Sequence, residues 1–102
     1  MVVFVCSPYG GKKKNLDAAR EYCLREIDNG NTPFAPHLLY TQLLDEKTDR
    51  WLGIQLGLEM LERCDELHQW SEEITEGMQM EIDYAIDNGI PVMYMGRCDA
   101  DS

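Results

Sequence analysis

The first eleven residues limit the folds open to this chain more than any other feature. An unbroken run of apolar and β-branched residues, Val2–Cys6, ends at the loop Ser7–Gly11, and that loop leads directly into residues with helical spacing. Strands that are apolar on both sides are typical of parallel sheets whose two faces are covered by helices. The sequence therefore predicts a central buried strand, a glycine-containing turn and a helix, in that order.

The rest of the chain continues the alternation of strands and helices. Helices are predicted over residues 14–29, 49–63 and 77–88, further strands within 32–37, 65–70 and 90–94, and a loop after His37. Prolines on both sides of a short apolar pair place the second strand near a sheet edge. We therefore predict an α/β fold, a small doubly wound, flavodoxin-like sheet of four parallel strands with helices on both faces. The domain is expected over 1–95, followed by a flexible tail over 96–102.

Gly53 and Gly57 lie one turn apart in the predicted helix over 49–63, which is apolar around much of its circumference. The pair indicates either loose helix packing within one chain or a close approach of two helices in a homodimer. Because a four-stranded sheet leaves much apolar helix surface exposed, we expect a homodimer or a higher homo-oligomer.

Charge and cysteine content exclude several classes of protein. The chain has 19 acidic and 9 basic side chains and a formal net charge of −10, which makes duplex nucleic acid an unsuitable partner. Its apolar start is too short for a signal sequence or a membrane span. The cysteines are too widely spaced for a zinc module, and we expect them to be reduced core residues: Cys6, Cys23, Cys64 and Cys98. The sequence predicts a soluble cytoplasmic protein with no membrane partner, metal or other cofactor.

The loop after the first strand is the first candidate for ligand binding. Ser7 and Tyr9 supply hydroxyl groups, and Gly10 and Gly11 allow a ligand to approach the backbone closely. The loop runs into a helix N-terminus beside the basic residues 12–14, which favours a phosphate or carboxylate. The alternative is an ordinary tight turn between a strand and a helix. The Walker spacing is absent, which disfavours phosphoryl transfer of that type.

Glu81 lies in the predicted helix over 77–88, on or beside the apolar face that should meet the sheet. Its carboxyl group either reaches the edge of that face or is partly desolvated, and desolvation would raise its pKa and suit it to acid, base or nucleophilic chemistry. His37 follows the second strand and either contacts a ligand or makes a structural hydrogen bond. His68 is too isolated to indicate a metal site.

Other side chains have alternative roles that the sequence leaves open. Trp51 and Trp70 could stack on a base, although core or interface packing is the more common role of tryptophan. The acidic stretch of Glu72, Glu73 and Glu76 forms either a solvated loop or a contact with ribose hydroxyl groups.

Four segments together resemble a known family: Ser7–Gly10 (SPYG), Ala35–His37 (APH), Arg63–Leu67 (RCDEL) and Glu76–Ala85 (EGMQMEIDYA). They are similar to the small, often phage-encoded domains of the DUF4406 and DUF7768 type, within the nucleoside 2-deoxyribosyltransferase-like superfamily. The resemblance covers nearly the whole chain. Its most specific part is the spacing of Gly77, Glu81 and Tyr84, which is similar to the nucleophile helix of that superfamily.

The resemblance implies a role for particular residues. Glu81 would be the nucleophile that attacks the anomeric carbon of a nucleoside, and Tyr9 would orient the sugar or the carboxylate. Ser7, Gly10 and Gly11 would line the sugar or phosphate end of the ligand. The full set of predicted ligand-binding residues is Ser7, Pro8, Gly10, Gly11, His37, Ser71, Glu76, Gly77 and Met78. The transferases usually have an aspartate just before the motif glycine, where this chain has Thr75-Glu76. The acid that would protonate the leaving base is open among Asp45, Asp49, Asp65 and Glu76.

The implied function is that of an N-glycoside hydrolase or deoxyribosyltransferase acting on nucleosides, nucleotides or a related N-ribosyl compound. The alternative is a non-catalytic, phage-encoded protein that binds a nucleotide or a nucleotide-derived signal. A third hypothesis is a structural module that associates through the helix of Gly53 and Gly57. The resemblance also implies that a neighbouring subunit helps to complete the pocket.

Overall fold

The computed structural model describes residues 1–96, and in these the chain alternates between strands and helices as the apolar patterns predict. The strands are β1 (Val2–Cys6), β2 (Thr32–Phe34), β3 (Glu66–Gln69) and β4 (Val92–Tyr94). The helices are α1 (Lys13–Asp28), α2 (Pro36–Leu39), α3 (Arg50–Leu61) and α4 (Glu76–Asp87), and a single 3-10 turn covers Tyr40–Gln42.

The four strands form one parallel sheet in the order β2-β1-β3-β4. The chain moves from β1 to β2 on one side and then crosses back to β3 on the other side of β1. The direction of winding therefore reverses between β1 and β3, which leaves a crevice beyond the carboxyl ends of these two strands. The fold class predicted from the sequence is confirmed, and so is the edge position of β2.

The two faces of the sheet bury different sets of side chains. On one face, Phe4 and Cys6 of β1 pack with Leu67 of β3 and with residues of α3 and α4 such as Leu61 and Met78. On the other face, Val5, Tyr22, Ala35 and Trp70 form a second cluster, in which the rings of Tyr22 and Trp70 stack at 5.1 Å. Since alternate residues of a strand face opposite sides, the wholly apolar β1 supplies both clusters.

A buried polar cluster ties the end of α1 to β3. The side chain of Glu26 is fully buried, and its carboxylate lies 2.6 Å from Nδ1 of His68 and accepts hydrogen bonds from Nε1 of Trp70 at 2.9 Å and Nδ2 of Asn31 at 2.9 Å. The second ring nitrogen of His68 lies 2.8 Å from Oε1 of Glu66. These hydrogen bonds replace the hydration that the carboxylate loses when it is buried.

One prediction about the chain's secondary structure is wrong. The segment after the second strand is not simply a loop, because Pro36–Leu39 forms the short helix α2 and the 3-10 turn follows it. Pro36 occupies the start of this helix, where the missing N–H of proline removes no hydrogen bond. His37 is consequently held on a helix.

The two glycines of α3 face other parts of the same chain. A Cβ atom on Gly57 would lie 3.6 Å from Cβ of Pro36, and one on Gly53 would lie 3.7 Å from Cδ1 of Leu44. An added Cβ would make ordinary van der Waals contact at these distances, so the pair faces side chains of its own chain without a close approach and gives no separate argument for a dimer. Homo-oligomerisation remains a prediction.

Some predictions concern residues 97–102, which lie outside the described residues. These are most of the tail predicted over 96–102 and the state of Cys98. Cys6 and Cys64 are buried and Cys23 is partly buried, and all three are free thiols. Within residues 1–96, no helix combines the length and the apolar character needed to cross a membrane.

Candidate active site

A cavity of about 190 Å³ opens beyond the carboxyl end of β1, at the crevice where the winding of the sheet reverses. Its wall combines the first loop, α2, the segment over 40–54 and the first turns of α4. It brings together seven of the residues predicted to carry the function: Ser7, Tyr9, Gly10, His37, Gly77, Met78 and Glu81.

The first loop turns sharply at its two glycines. Gly10 has a φ of +58° and Gly11 a φ of +75°, which side chains other than glycine rarely adopt, and the chain then enters α1 at Lys13. Ser7 lies below this turn with only 1% of its surface exposed. Its hydroxyl is the one buried side-chain oxygen or nitrogen of residues 1–96 that has no hydrogen-bond partner. A polar group in this condition indicates that a ligand or solvent molecule satisfies it.

Tyr9 and His37 form one wall of the cavity. Their rings stack with centroids 5.1 Å apart and an angle of 28° between their planes. The Nε2 atom of His37 lies 2.7 Å from the backbone oxygen of Ser7, so the N–H of this nitrogen donates to it. Burial lowers the pKa of His37 below its usual value of 6.5, although this hydrogen bond opposes the effect. His37 is therefore a neutral ring that fixes the first loop against α2.

Glu81 lies at the base of the cavity, in the second turn of α4. The helix starts after Thr75, whose hydroxyl accepts a hydrogen bond of 3.2 Å from the backbone N–H of Met78. This cap fixes the helix so that Glu81 faces the sheet, where only 5% of its surface is exposed. The thiol of Cys6, at the end of β1, lies 4.0 Å from the backbone oxygen of Met78 and is close enough to the carboxyl group of Glu81 to affect its pKa.

Desolvation explains the acid–base behaviour of Glu81. Burial raises its pKa from 4.5 to about 8, and the hydrogen bond from Cys6 lowers it slightly against this effect. The pKa of the Cys6 thiol is raised well above 9.0 by its own burial and by Glu81, so this sulfur stays protonated and acts as a donor. Glu81 is thus a carboxyl group that can change its protonation state near neutral pH.

The titration of Glu81 can be observed directly. In a sample with ¹³C-labelled glutamate, the side-chain carboxyl resonance of Glu81 should titrate near pH 8. In Cys6→Ala the midpoint of that resonance should rise further, because a donor to the ionised carboxylate is lost. A set of carboxyl resonances that all titrate below pH 6 would contradict the desolvation of Glu81.

An acidic segment, formed by Asp45, Glu46 and Asp49, lines the side of the cavity that faces the first loop. Oδ1 of Asp45 accepts hydrogen bonds from the backbone N–H groups of residues 47 and 48, and Oδ2 of Asp49 accepts one of 3.0 Å from the N–H of Asp45. Arg50 also lines the cavity, and its guanidinium lies 3.5 Å from Glu76.

Sequence reasoning missed several of these lining residues. Glu46, Arg50 and Tyr40 were not singled out, although Asp45 and Asp49 were considered as acids. The available signal was the clustering of three carboxylates just before an apolar helix. Because this segment forms neither a strand nor a regular helix, its spacing alone did not show which carboxylates share a wall.

Four of the predicted ligand-binding residues do not line the cavity: Pro8, Gly11, Ser71 and Glu76. Pro8 lines a smaller neighbouring hollow with Lys12 and Lys14. Gly11 faces the side chain of Glu46, and the hydroxyl of Ser71 accepts a hydrogen bond of 3.1 Å from the N–H of Glu73. Glu76 is exposed and pairs with Arg50 at the cavity rim.

Two further candidates lie elsewhere in the fold. Asp65 cannot serve as the acid of this site, because it accepts a hydrogen bond of 2.8 Å from the N–H of Val2, at the opposite end of the sheet. Trp70 is buried against Tyr22 and donates to Glu26, so it belongs to the core. Trp51 is exposed on α3, where the Arg50 guanidinium lies 5.9 Å from its ring.

Comparisons with known proteins agree with this architecture. A family model described as a domain of unknown function, DUF7768, matches residues 1–95. A 2-deoxyribosyltransferase from Bacillus psychrosaccharolyticus is similar in structure with a TM-score of 0.72 and 20% identity, over 94% of this chain and 72% of that one. A 2-deoxyribosyltransferase from Leishmania mexicana gives a TM-score of 0.65 and 15% identity, over 93% of this chain and 63% of that one. No curated protein matches the sequence. At these identities the likeness shows a shared fold.

Proposed function

We propose that this chain, which belongs to the DUF7768 family, breaks the N-glycosidic bond of a nucleoside, a nucleotide or a related N-ribosyl compound, with Glu81 as the nucleophile. The observation that carries this proposal is the position of Glu81, a buried carboxyl group at the base of the cavity beyond the first strand. Similarity of the fold to 2-deoxyribosyltransferases from two organisms supports the reaction class.

The reaction proceeds in two displacements. An ionised Oε atom of Glu81 attacks the anomeric carbon, the bond from that carbon to the base nitrogen breaks, and its electron pair leaves with the base. The product of this step is a glycosyl ester of Glu81. Attack on the ester by water gives the free sugar and completes a hydrolysis, whereas attack by a second base completes a transfer.

The neighbouring side chains position the ligand in this proposal. The unpaired hydroxyl of Ser7 bonds a sugar hydroxyl, and the phenol of Tyr9 orients the sugar or the carboxylate. His37 holds these two residues in place through the backbone oxygen of Ser7 and the ring of Tyr9. Glycines 10 and 77 leave room for the ligand to approach the backbone.

The covalent intermediate provides a direct test. The protein is incubated with a panel of nucleosides and nucleotides to follow free base, and in parallel with 2′-fluoroarabinosyl analogues, whose fluorine slows hydrolysis of a glycosyl ester. We expect base release from at least one member of the panel and, by mass spectrometry, a glycosyl adduct on the peptide that contains Glu81.

The control is Glu59→Gln, which makes the same carboxyl-to-amide change on the exposed surface of α3 and should release base as the wild type does. Equal base release by the wild type and by Glu81→Ala would refute the nucleophile. Tight binding with recovery of intact ligand would favour a binding protein instead.

Association with further copies is part of the same proposal. Leu43, Trp51 and Leu52, each next to a cavity-lining residue in the sequence, leave large apolar surfaces exposed, and these support a homodimer or higher homo-oligomer that shields them. Sedimentation of only the monomer at micromolar concentration would contradict it.

A further inference from the structure

The cavity wall carries three carboxylates in addition to Glu81, and the proposed attack by Glu81 uses none of them. The acidic segment contributes Asp45, Glu46 and Asp49, while Arg50 is the one basic side chain of residues 1–96 that lines the cavity with them. That guanidinium lies 3.5 Å from Glu76, so its charge is partly balanced at the rim. The whole chain adds a net charge of −10. A wall of this kind attracts a cation and repels an anion.

Two of these carboxylates are held as hydrogen-bond acceptors. Asp45 receives the N–H groups of residues 47 and 48 at 2.8 and 3.2 Å, and Asp49 receives the N–H of Asp45 at 3.0 Å. The oxygens that accept these N–H bonds are committed as acceptors, so only the second oxygen of each carboxyl group could hand a proton to a leaving base. The main contribution of the acidic segment to the cavity is therefore negative charge, and a proton donor for the leaving base is its lesser one.

Two independent features of the same cavity indicate a ligand of defined chemistry. The hydroxyl of Ser7, 1% exposed and without a partner among the described residues, needs a polar group of the ligand such as a sugar hydroxyl. The rings of Tyr9, His37 and Tyr40 line the cavity near the acidic segment. Aromatic faces bind flat heterocycles and attract cations.

We propose that this site takes N-glycosides whose base carries a fixed positive charge, such as a quaternary pyridinium or a 7-alkylated purinium. The proposal rests on the proposed function of Glu81 and specifies its substrate class. The Ser7 hydroxyl binds the sugar, the rings and the acidic segment bind the cationic base, and Glu81 faces the anomeric carbon between them.

The chemistry of such a substrate fits a wall without a placed acid. When Glu81 attacks, the bond between the anomeric carbon and the base nitrogen breaks, and its electron pair neutralises the charge of the ring. The base leaves neutral and takes no proton. Water then attacks the glycosyl ester, the electron pair of the ester bond returns to Glu81, and one proton passes from the water to solvent. A neutral nucleoside would instead require a proton on its leaving base.

The protonation of Glu81 supports the same substrate class. Its pKa of about 8 leaves most of the carboxyl groups protonated at neutral pH, whereas the nucleophile must be ionised. A fixed positive charge bound nearby favours the ionised form, so a cationic ligand would activate the carboxylate on binding. A neutral nucleoside carries no charge to produce this effect.

Matched pairs of compounds test the proposal. Nicotinamide riboside is compared with its uncharged reduced form, and 7-methylguanosine and its 2′-deoxy form are compared with guanosine and 2′-deoxyguanosine. Rates are corrected for the reaction without enzyme, because cationic glycosides are intrinsically less stable. We expect kcat/KM for the cationic member of at least one pair to exceed that of its neutral partner by about tenfold or more, with one proton released per turnover in weakly buffered solution.

A double variant separates recognition of charge from intrinsic reactivity. Asp49→Asn with Glu46→Gln keeps oxygen acceptors in place and removes two charges, and it should reduce the ratio of kcat/KM for the cationic member to kcat/KM for its neutral partner by about tenfold. Equal or better cleavage of the neutral members would overturn the cationic substrate class and leave the role of Glu81 intact. If no compound of either kind, including the wider nucleotide panel, is cleaved in a Glu81-dependent manner, the proposed function itself is wrong.

Discussion

Replacing Glu81 with glutamine is expected to lower kcat for base release by at least about a thousandfold, because glutamine cannot form the glycosyl ester. The amide has nearly the size of the carboxyl group, and its oxygen can still accept from the thiol of Cys6. The cavity should therefore keep its shape and bind ligand with little change in affinity. The measurement is a comparison of kcat and of the dissociation constant in the two proteins. A loss of less than tenfold in kcat would exclude Glu81 as the nucleophile.

The same substitution should make the protein more stable at high pH. In the folded state the pKa of Glu81 is about 8, while in the unfolded chain it is near 4.5, so the unfolded chain ionises first as the pH rises. The wild type therefore loses stability between pH 4.5 and 8, and the full loss is present above pH 8. Glutamine does not titrate, so the free energy of unfolding of Glu81→Gln should not fall across this range. Relative to the wild type, the variant should gain about a few kcal/mol of stability between pH 4.5 and 8.

Urea unfolding of both proteins at pH 5, 7 and 9 measures this effect, with Glu59→Gln as the control for loss of an exposed carboxylate. The control should follow the wild type at each pH. A variant that loses activity while gaining stability identifies a residue kept for function, because a residue kept for folding would show the opposite change in stability. Parallel stability curves for wild type and Glu81→Gln would contradict the burial of an ionisable group.

Replacing Glu26 with alanine should destabilise the fold by about 3–5 kcal/mol. The substitution removes the carboxylate that serves His68, Trp70 and Asn31, and all three polar groups would lose a partner in or near the core. A small domain has roughly 5–15 kcal/mol of stability in total, so a large share of it would be lost. Chemical unfolding followed by circular dichroism gives the change in free energy.

Glu21→Ala is the matched control, because Glu21 is on the same helix, exposed, with only a 3.8 Å ion pair to Arg25. Its effect should remain within about 0.5 kcal/mol. The loss of stability in Glu26→Gln should lie between those of Glu21→Ala and Glu26→Ala, since the amide keeps one acceptor oxygen and presents donors to the remaining groups. If Glu26→Ala costs less than 1 kcal/mol, the polar cluster does not hold α1 against β3.

Much of the fold could be predicted because local patterns determine it. The apolar run Val2–Cys6 indicated a strand buried on both faces, and the structure places it inside the sheet. The prolines around Phe34 indicated an edge strand, and the Asn-Gly pairs marked the ends of α1 and α4. In each case the decisive constraint acts between residues that are close in sequence.

The candidate site was predictable only where its residues belong to regular elements. Ser7 and Tyr9 follow a clear strand, and Glu81 has a defined position on a clear helix, so their meeting at one crevice followed from the topology. The acidic segment could not be placed in this way, because residues 45–49 form an irregular turn stabilised by its own side chains.

The polar cluster of Glu26 was missed for a different reason. Its partners His68 and Trp70 lie 42 and 44 residues away along the chain, and no local pattern distinguishes this glutamate from the exposed ones of α1. Only the packing of α1 on the sheet brings the donors to it.

The alternation of side chains along β3 has a consequence for how the chain avoids misfolding. His68 points toward Glu26 and also pairs with Glu66, whereas Leu67 points toward α3 and α4. A shift of β3 by one residue against β1 would exchange these faces, placing the histidine among apolar side chains and leaving the Glu26 carboxylate opposite leucine. The free-energy cost of such buried, unpaired polar groups excludes the shifted pairing. The register of β3, a strand of only four residues, is thus set by the hydrogen bonds that Glu26 of α1 would lose if the strand shifted.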